Sequence, residues 1–387
     1  MSNERNWPRW ILRGRSLPAL VQGGMGVGVS AHRLAGHVAR LGAMGTISSV
    51  ELRQHHPDLL AQAKGRRDKA LLDRHNLVAL DREIRAALAI AEGRGVVAVN
   101  VMKAVALQRE YVRQACESGA QAIVMGAGLP LDLPELAAGF PEVALVPILS
   151  EARGVSIVMR RWMRRGRMPD AIVIEHPGRA AGHLGAARLD EVDDPRFGFA
   201  RVLEEIGRVF DELSLGRERP PLIVAGGIHI AEQVRSLLAM GAAAVQLGSA
   251  FAVTVEGDAH DAFKRVLAEA KPEDIVTFMS VAGLPARAVA TPWLRNYLKR
   301  EKALQANAKA DERRCVPGAG CLTVCGLRDG HAQMGQFCIA TRLADALHGD
   351  VKKGLFFRGS EPLPFGEAIR PVAELFERLL GEPAPAA

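Results

Sequence analysis

The segment PDAIVIEHPGRAAGHLGA, residues 169 to 186, places one histidine, His183, in a loop of small residues that follows a short apolar run. Histidine is the usual general base because its ordinary pKa lies close to neutral pH. Its neighbours Ala181, Gly182 and Gly185 leave space for a ligand beside the ring. The residues alone leave two interpretations open, namely a catalytic base or a loop histidine that faces water.

Two further apolar runs end in small residues suited to binding a phosphate. The run LIVAGG ends at Gly226 and Gly227, and the run AAVQLGS ends at Gly248 and Ser249. Glycine lets backbone N–H groups approach phosphate oxygens, and barrel enzymes often bind phosphate after their seventh and eighth strands. The sequence therefore predicts a phosphate cradle here, although tight strand-to-helix turns would use the same residues.

Eight short apolar runs, each followed by a helical pattern, must position these residues. Near-continuous apolar runs are typical of parallel strands buried on both faces. Eight strand–helix repeats predict an α/β fold of the (β/α)8, or TIM barrel, type, whose active sites lie at the carboxyl ends of the strands. The runs are ALVQGG (19–24), MGTISS (44–49), VVAVNVM (96–102), AIVMGAG (122–128), ALVPIL (144–149), AIVIE (171–175), LIVAGG (222–227) and AAVQLGS (243–249).

The same pattern predicts three regions of the chain. Residues 1–259 form the barrel, with a polar insertion at 50–77. Residues 260–345 form an appended smaller region that is helical and loop-rich and contains cysteines, and residues 346–387 return to the barrel. Ser30 is the expected N-cap of the first helix because its hydroxyl can accept a hydrogen bond from a free helix N–H.

The first loop also matches a dinucleotide-binding fingerprint. Gly26, Gly28 and Ala31 satisfy G-x-G-x-x-A, and Glu51 follows the next strand. A doubly wound sheet, however, needs neither eight units nor a second phosphate signature near residue 248. We therefore favour the barrel, in which Gly23 and Gly24 let a flat ring lie against the backbone.

Composition limits the class of protein. The chain has 387 residues, of which 48% are hydrophobic and 5% aromatic, and its net charge is +7. Basic clusters occur at 13–15, 160–167 and 299–302, but no groove-reading motif accompanies them and few aromatics are present for stacking on bases. No apolar run reaches a membrane-spanning length. We expect a cytoplasmic enzyme that acts on a small molecule and binds neither nucleic acid nor a membrane. A homo-oligomer is compatible with the sequence.

Four cysteines follow one another closely in the appended region, with the spacing C-x5-C-x3-C-x12-C. Four thiolates can hold an iron–sulfur cluster, although this spacing matches no standard ferredoxin pattern. Reduced thiols packed near the site are the alternative. The residues are Cys315, Cys321, Cys325 and Cys338.

The segments LVQGGMGVGVSAHRLAGHVARLGAMGTIS, VNVM, EHPGRAAGHLG, LIVAGGI and AVQLGSAF together resemble the nitronate monooxygenase family of FMN-dependent barrel enzymes. The resemblance extends from about residue 18 to 360, with the motifs in the family's order. It implies that alkyl nitronates are oxidised with O2 through a flavin semiquinone and that His183 is the catalytic histidine. The FMN-binding residues it implies are Gln22, Gly23, Gly24, Met25, Asn100, Glu175, Ala181, Gly182, Gly226, Gly227, Gln246, Gly248 and Ser249.

Departures from the family pattern leave the substrate open. Ala181 and Ala286 stand where relatives have, or often have, glycine, and the His183 loop also contains His176 and Arg179. The same framework serves NAD(P)H-dependent reductases of enoyl thioesters or quinones, and the basic clusters would then face an acidic carrier protein or the phosphates of the nucleotide. A non-redox phosphate-binding barrel is the alternative from a different class.

Overall fold

Eight parallel strands close into the barrel that the sequence predicts. The computed structural model describes residues 6–66, 68–311, 315 and 322–381. The strands β3 to β8, β10 and β11 form the barrel, and β11 pairs with β3 to close it, so the doubly wound alternative is wrong. The strands are β1 (Arg9–Leu12), β2 (Arg15–Pro18), β3 (Leu20–Gln22), β4 (Met44–Ser48), β5 (Val96–Met102), β6 (Ala122–Gly126), β7 (Ala144–Leu149), β8 (Ile172–Glu175), β9 (Gly182–His183), β10 (Leu222–Ala225), β11 (Ala244–Leu247), β12 (Ile275–Met279), β13 (Pro285–Val289) and β14 (Phe356–Phe357).

Helices follow the barrel strands and cover them. Helix α9, after the last barrel strand, has only four residues, and the C-terminal helix α14 packs against α1, α8 and α9 in the place of a full eighth helix. The helices are α1 (His32–Arg40), α2 (Pro57–Ala63), α3 (Lys69–Ala91), α4 (Gln108–Glu117), α5 (Leu133–Leu136), α6 (Ala152–Met163), α7 (Phe199–Glu212), α8 (Ala231–Ala239), α9 (Ser249–Ala252), α10 (Asp261–Glu269), α11 (Pro292–Ala306), α12 (Gly326–Asp329), α13 (Ile339–Leu347) and α14 (Val372–Leu380).

The inside of the barrel is filled by inward-pointing apolar side chains, including Val124 and Val173. The hairpin of β1 and β2 adds Trp10, Leu12 and Leu17 to the same cluster. The indole of Trp10 also donates a hydrogen bond to the Pro18 carbonyl at 3.1 Å, just before the first barrel strand. This hairpin therefore seals the amino-terminal end of the barrel, which leaves the carboxyl ends of the strands for a site.

Helix α1 is capped from a distance, and the expected role of Ser30 is wrong. Its first N–H groups donate to the carboxylate of Asp258, from Ala31 at 2.8 Å, from Arg33 at 3.0 Å and from Leu34 at 3.1 Å. The Ser30 hydroxyl instead accepts a hydrogen bond from the N–H of Met25 at 2.9 Å. A carboxylate satisfies more free donors than a hydroxyl does and suits the positive end of the helix dipole.

We expect Asp258→Ala to destabilise the protein by about 1–2 kcal/mol, since the first turn of α1 loses its cap. The free energy of unfolding in denaturant measures the loss. Asp258→Asn, which keeps one acceptor oxygen, should recover part of it. An unchanged free energy of unfolding for Asp258→Ala would contradict the capping role.

The appended region contains a sheet that the sequence analysis missed. Strands β12 and β13 form an antiparallel hairpin, β14 pairs with β13, and β9 from the loop after β8 also pairs with β13. All five side chains of β13 are buried, so the segment lacks the alternation that marks a half-exposed strand. Its partners β9 and β14 are remote in sequence. The description of residues 260–345 as helical and loop-rich was therefore incomplete.

The polar insertion after β4 folds onto the barrel through α2 and the first half of α3. Glu51 is buried there, and its carboxylate accepts hydrogen bonds from Arg53 at 2.7 Å and from Asn76 at 2.9 Å. Burial of a charge is tolerated because both partners are present. Over the described ranges, no helix is both long and apolar enough to cross a membrane.

Candidate active site

A cavity of about 290 Å³ opens at the carboxyl ends of the barrel strands. Its wall consists of strand ends, the loop after β3, the loop after β8 and parts of the appended and C-terminal regions. Every residue predicted for catalysis or flavin binding, except Gln22, contributes to it. These are Gly23, Gly24, Met25, Asn100, Glu175, Ala181, Gly182, His183, Gly226, Gly227, Gln246, Gly248 and Ser249.

Gln22 lies behind the cavity wall, with its side chain fully buried. Its amide oxygen accepts a hydrogen bond from the N–H of Thr46 at 2.7 Å, and its amide nitrogen donates to the carbonyl of Thr46 at 3.0 Å. The side chain thus ties β3 to β4. It supports the loop that follows β3, and the structure places its side chain away from the ligand space.

The loop after β3 crosses directly over the end of β5. A Cβ atom on Gly24 would lie 2.3 Å from the Cβ of Asn100, far inside contact distance. The N–H of Gly23 donates to the carbonyl of Leu247 at 2.9 Å, and the ring of His55 hydrogen-bonds the carbonyl of Gly28 at 2.7 Å. Glycine at residue 24 is therefore a steric requirement, and the loop presents its backbone to the cavity.

The predicted phosphate cradle lies on the neighbouring strand ends β10 and β11. Gly226 and Gly227 have φ angles of +106° and +76°, which residues other than glycine rarely adopt. Ser249 begins α9, and its hydroxyl accepts a hydrogen bond from the N–H of Gly359 at 3.1 Å. Glycines beside a helix start can present backbone N–H groups to an anion.

Two arginines line the same cavity, although neither was predicted from the sequence to contact a ligand. These are Arg179, from the loop after β8, and Arg358, from the C-terminal region. Arg358 is 3% exposed, and its guanidinium donates to the carbonyls of Leu267 and Glu361, both at 2.8 Å. The sequence FFRGS gives no local signal for this position. Its place in the wall follows only from the return of the chain over the barrel.

His183 is held by strand pairing with the appended region. Its partner in β13 is Ala286, and the N–H of Leu184 donates to the carbonyl of Pro285 at 2.8 Å. Arg287, which is 4% exposed, donates to the carbonyls of Pro177 and Ala180 at 3.1 and 2.5 Å. Strand pairing and the Arg287 side chain therefore hold the loop that contains the histidine. Its small residues would by themselves favour a flexible loop.

The ring of His183 is available for chemistry. Its Nε2 atom is buried and has no hydrogen-bond partner among the described residues. Burial lowers the pKa of His183 to about 4, so the imidazole is neutral at pH 7 and can accept a proton. Burial raises the pKa of Glu175, in the same cavity, to about 7. Two titratable groups with displaced pKa values in one cavity are typical of an active site.

The cysteines give no test of the iron–sulfur prediction. Cys325 is buried, and Cys315 and Cys338 are half-buried. The thiol of Cys338 accepts a hydrogen bond from the Thr341 hydroxyl at 3.3 Å. Cys321 lies outside the described residues. Within the described part of the chain, no three His, Cys, Asp or Glu side chains are arranged to hold a metal ion.

Two of the three basic clusters lie at the end of the barrel opposite the cavity. Arg13 and Arg167 bond the carboxylate of Asp170 at 2.9 and 2.6 Å. That carboxylate also accepts the N–H of Leu145, near the amino end of β7, at 2.8 Å. The clusters at 13–15 and 160–167 therefore lie near the sealed end, whereas 299–302 belongs to α11 in the appended region.

Together, the fold and the site define a (β/α)8 barrel that brings the glycine-rich ends of two strands and a neutral histidine into one cavity. The sequence model of the nitronate monooxygenase family matches residues 14–382. The chain therefore belongs to the nitronate monooxygenase family. Membership supports an oxidoreductase with a flavin cofactor.

Individual relatives are distant. A probable nitronate monooxygenase of Bacillus subtilis is 31% identical over 123 residues, a match that spans 32% of this chain and 33% of that protein. Among solved structures, FabK from Thermotoga maritima superposes with a TM-score of 0.62 at 20% identity, covering 94% of this chain and 91% of that one. A nitroalkane oxidase from Streptomyces ansochromogenes gives 0.61 at 20% identity, covering 93% and 94%. At this identity, the structural likeness shows the fold alone.

Proposed function

We propose that this protein is an FMN-dependent nitronate monooxygenase, in which His183 binds the nitro group of an alkyl substrate that O2 then oxidises. The observation that supports this most directly is the Nε2 atom of His183, buried in the cavity without a partner among the described residues. A substrate oxygen or an acidic C–H placed there would satisfy it. The family match and the neighbouring glycine cradle support the same assignment.

The residues of the cavity fit FMN. Gly226, Gly227, Gly248 and Ser249 would bind its phosphate, with Arg179 and Arg358 supplying positive charge in the same cavity. Gly23, Gly24 and Met25 would lie along its ring, and Asn100 and Gln246 would offer polar contacts. When bound, the flavin would supply the redox chemistry, taking electrons from the substrate and passing them to O2.

His183 would act on the proton and on the charge of the substrate. For a neutral nitroalkane, the neutral ring accepts the α-proton at Nε2, which leaves an imidazolium beside the nitronate anion. For a substrate supplied as the nitronate, no proton needs to be removed, and an Nε2–H tautomer would donate a hydrogen bond to the nitronate oxygen. Pairing of β9 with β13 would keep the ring in place in both cases.

Anaerobic absorbance spectra would test the proposal. Purified protein with bound flavin receives propyl nitronate in one sample and NADPH in another. We expect the flavin band to bleach with the nitronate and to persist with NADPH. Bleaching with NADPH alone would overturn the proposal in favour of a reductase. A purified protein that takes up no FMN would favour the non-redox barrel.

The reductase that acts on a carrier-bound enoyl thioester is the second candidate, and two of the three basic clusters are poorly placed for it. A carrier protein must dock at the cavity mouth for its thioester to reach the cavity. The basic clusters at 13–15 and 160–167 lie near the opposite end of the barrel, so they would not guide such docking. A quinone or a free thioester needs no docking surface. Bleaching of the flavin band by NADPH in the absorbance test would indicate a reductase of that kind.

Glu175 should give the reaction of nitronates a pH dependence near neutrality. Its pKa of about 7 means that the carboxyl is neutral below that pH and becomes an anion in the cavity above it. An anion there repels a nitronate, so kcat/KM should fall as the pH rises through about 7, while His183 with a pKa of about 4 stays neutral. We expect Glu175→Gln to remove this fall in kcat/KM–pH profiles measured with preformed nitronate. The same fall in the variant would contradict the assignment.

A further inference from the structure

Phe357, at the end of β14, lines the cavity, and the proposed reaction does not use it. Strand β12 pairs with the whole length of β13 on one edge, so β9 and β14 share the other edge. In this register Ala286 lies opposite His183, and Ala288 lies opposite Phe357. Directly opposed residues face the same side of a sheet, and so do residues two apart in a strand. The side chains of His183 and Phe357 therefore lie next to each other on one face.

The ring of Phe357 packs against the imidazole of His183. Their centroids are 5.9 Å apart and their planes are inclined by 60°. Ring centroids separated by about 4.5–7 Å mark a direct aromatic contact. A Cβ atom on Gly182 would lie 3.7 Å from the same phenyl ring, so this ring also covers the backbone beside the histidine. Phe357 is half-buried and lines the cavity, so truncation of its side chain would extend the cavity to the imidazole.

Charged groups surround the histidine without bonding its Nε2 atom. They are Glu175, Arg179, Arg287, Arg358 and Glu361. Arg287 alternates with Ala286 along β13, so its guanidinium leaves on the opposite face and bonds the carbonyls of Pro177 and Ala180. Burial, rather than any of these charges, lowers the pKa of His183 to about 4. The side chain that covers the imidazole is therefore the one expected to control its protonation.

We propose that Phe357 is a positioning residue for His183, whose ring shields the imidazole from water and keeps the Nε2 atom unpaired until a substrate binds. The proposal rests on the proposed function only for the reaction that His183 performs. Water that entered the space of the phenyl ring would bond Nε2 and would solvate the protonated form of the imidazole. A substrate would then have to displace that water before it could use the nitrogen.

Histidine titrations of the flavin-bound protein test the proposal. The 11 histidines are labelled with ¹³C at Cε1 and followed by NMR from pH 5 to 8, and the His183 signal is the one missing from His183→Ala. We expect the wild-type ring to stay neutral over this range. In Phe357→Ala the His183 ring should titrate within it, with a midpoint that approaches the ordinary histidine pKa of about 6.5. A His183 ring that stays neutral in folded Phe357→Ala would overturn the proposal and leave the proposed function standing.

Phe199→Ala is the matched control. Phe199 packs edge-on against His176 of the same loop, with ring centroids 5.5 Å apart, and neither residue lines the cavity. Burial lowers the pKa of His176 as well, so this variant should raise the titration midpoint of His176 and leave His183 neutral. If Phe199→Ala and Phe357→Ala raise the His183 midpoint alike, the shielding is not specific to Phe357 and the proposal falls.

Two further substitutions separate shielding from packing. Phe357→Leu keeps an apolar side chain against the imidazole, so His183 should stay neutral from pH 5 to 8. Phe357→Gln fills much of the same space but brings a polar amide to the ring, so the His183 midpoint should rise. Thermal unfolding shows which variants are folded, and Phe357→Gln provides the test if Phe357→Ala does not fold. A folded Phe357→Gln variant with a neutral His183 ring would also contradict the proposal.

Kinetics with a neutral nitroalkane connects the shield to the reaction. At pH 5.5 a ring whose pKa has risen to about 6.5 is about 90% protonated and cannot accept the α-proton, so kcat/KM of Phe357→Ala should be about tenfold below the wild type. At pH 8 both rings are neutral, and the loss should disappear. An equal loss at both pH values would contradict the proposal. A raised His183 midpoint in a protein that oxidises no nitro compound would keep the shield and overturn the proposed function.

Discussion

His183→Ala should lower kcat/KM for neutral nitroalkanes by about 10²–10⁴-fold, the usual contribution of a positioned general base. The loss should be smaller for a preformed nitronate, because no proton then has to be removed and only the contact with the anion is lost. The variant should still bind flavin, since the cradle at β10 and β11 is separate from β9. Steady-state kinetics with both forms of one substrate, together with the flavin absorbance, measures these effects.

His37→Ala is the matched control for this experiment. His37 lies on α1, where its ring bonds the carbonyl of Arg33 at 2.7 Å, and it is not part of the cavity wall. We expect wild-type rates from it. If His183→Ala reacts with nitroalkane and nitronate at wild-type rates, His183 is neither the base nor the anion contact, and the catalytic assignment falls.

Gly24→Ala should abolish tight flavin binding and with it the activity. A Cβ atom at residue 24 would lie 2.3 Å from the Cβ of Asn100, so either the loop or the end of β5 must move. Strain of this kind destabilises proteins by about 1–3 kcal/mol. The displaced loop is the one that would lie along the flavin ring. Flavin content after purification and the midpoint of thermal unfolding would measure the two consequences.

Gly207→Ala separates this steric effect from the general effect of adding a methyl group. Gly207 lies within α7, and a Cβ atom there would have no heavy atom within 4 Å apart from the neighbouring backbone of its own helix. The substitution should raise stability by about 0.5–1 kcal/mol, since alanine favours a helix over glycine. Flavin content should not change. A Gly24→Ala variant as stable and as rich in flavin as Gly207→Ala would show that the loop does not cross β5 as described.

The loop that contains His183 has a sequence typical of a flexible segment, yet contacts with the appended region give it a defined conformation. The loop GRAAGHLG has small side chains that bury little surface of their own. Its order comes from β13, which pairs with His183 through Ala286, and from Arg287, whose guanidinium bonds two carbonyls of the loop. The appended region therefore contributes to the site by holding the histidine.

The sequence by itself determined the barrel and the strand ends that line much of the cavity. Parallel strands buried on both faces are continuous apolar runs, which are visible locally, and the eight runs correspond to the eight barrel strands. Strand ends in this fold all meet at one face. Glycines and polar residues at those ends, such as Gly24 and Glu175, therefore had to come together once the strands were assigned.

Only the tertiary structure decided which remote side chains complete the site. Asp258 in place of Ser30 caps α1, Arg287 holds the loop of His183, and Arg358 enters the cavity wall from near the C-terminus. Strand β13 was missed for a related reason, because two of its three partners, β9 and β14, lie far away in the chain. Local periodicity reports which face of an element is buried, but the partner of a buried polar group is set by chain segments that the fold alone brings into contact.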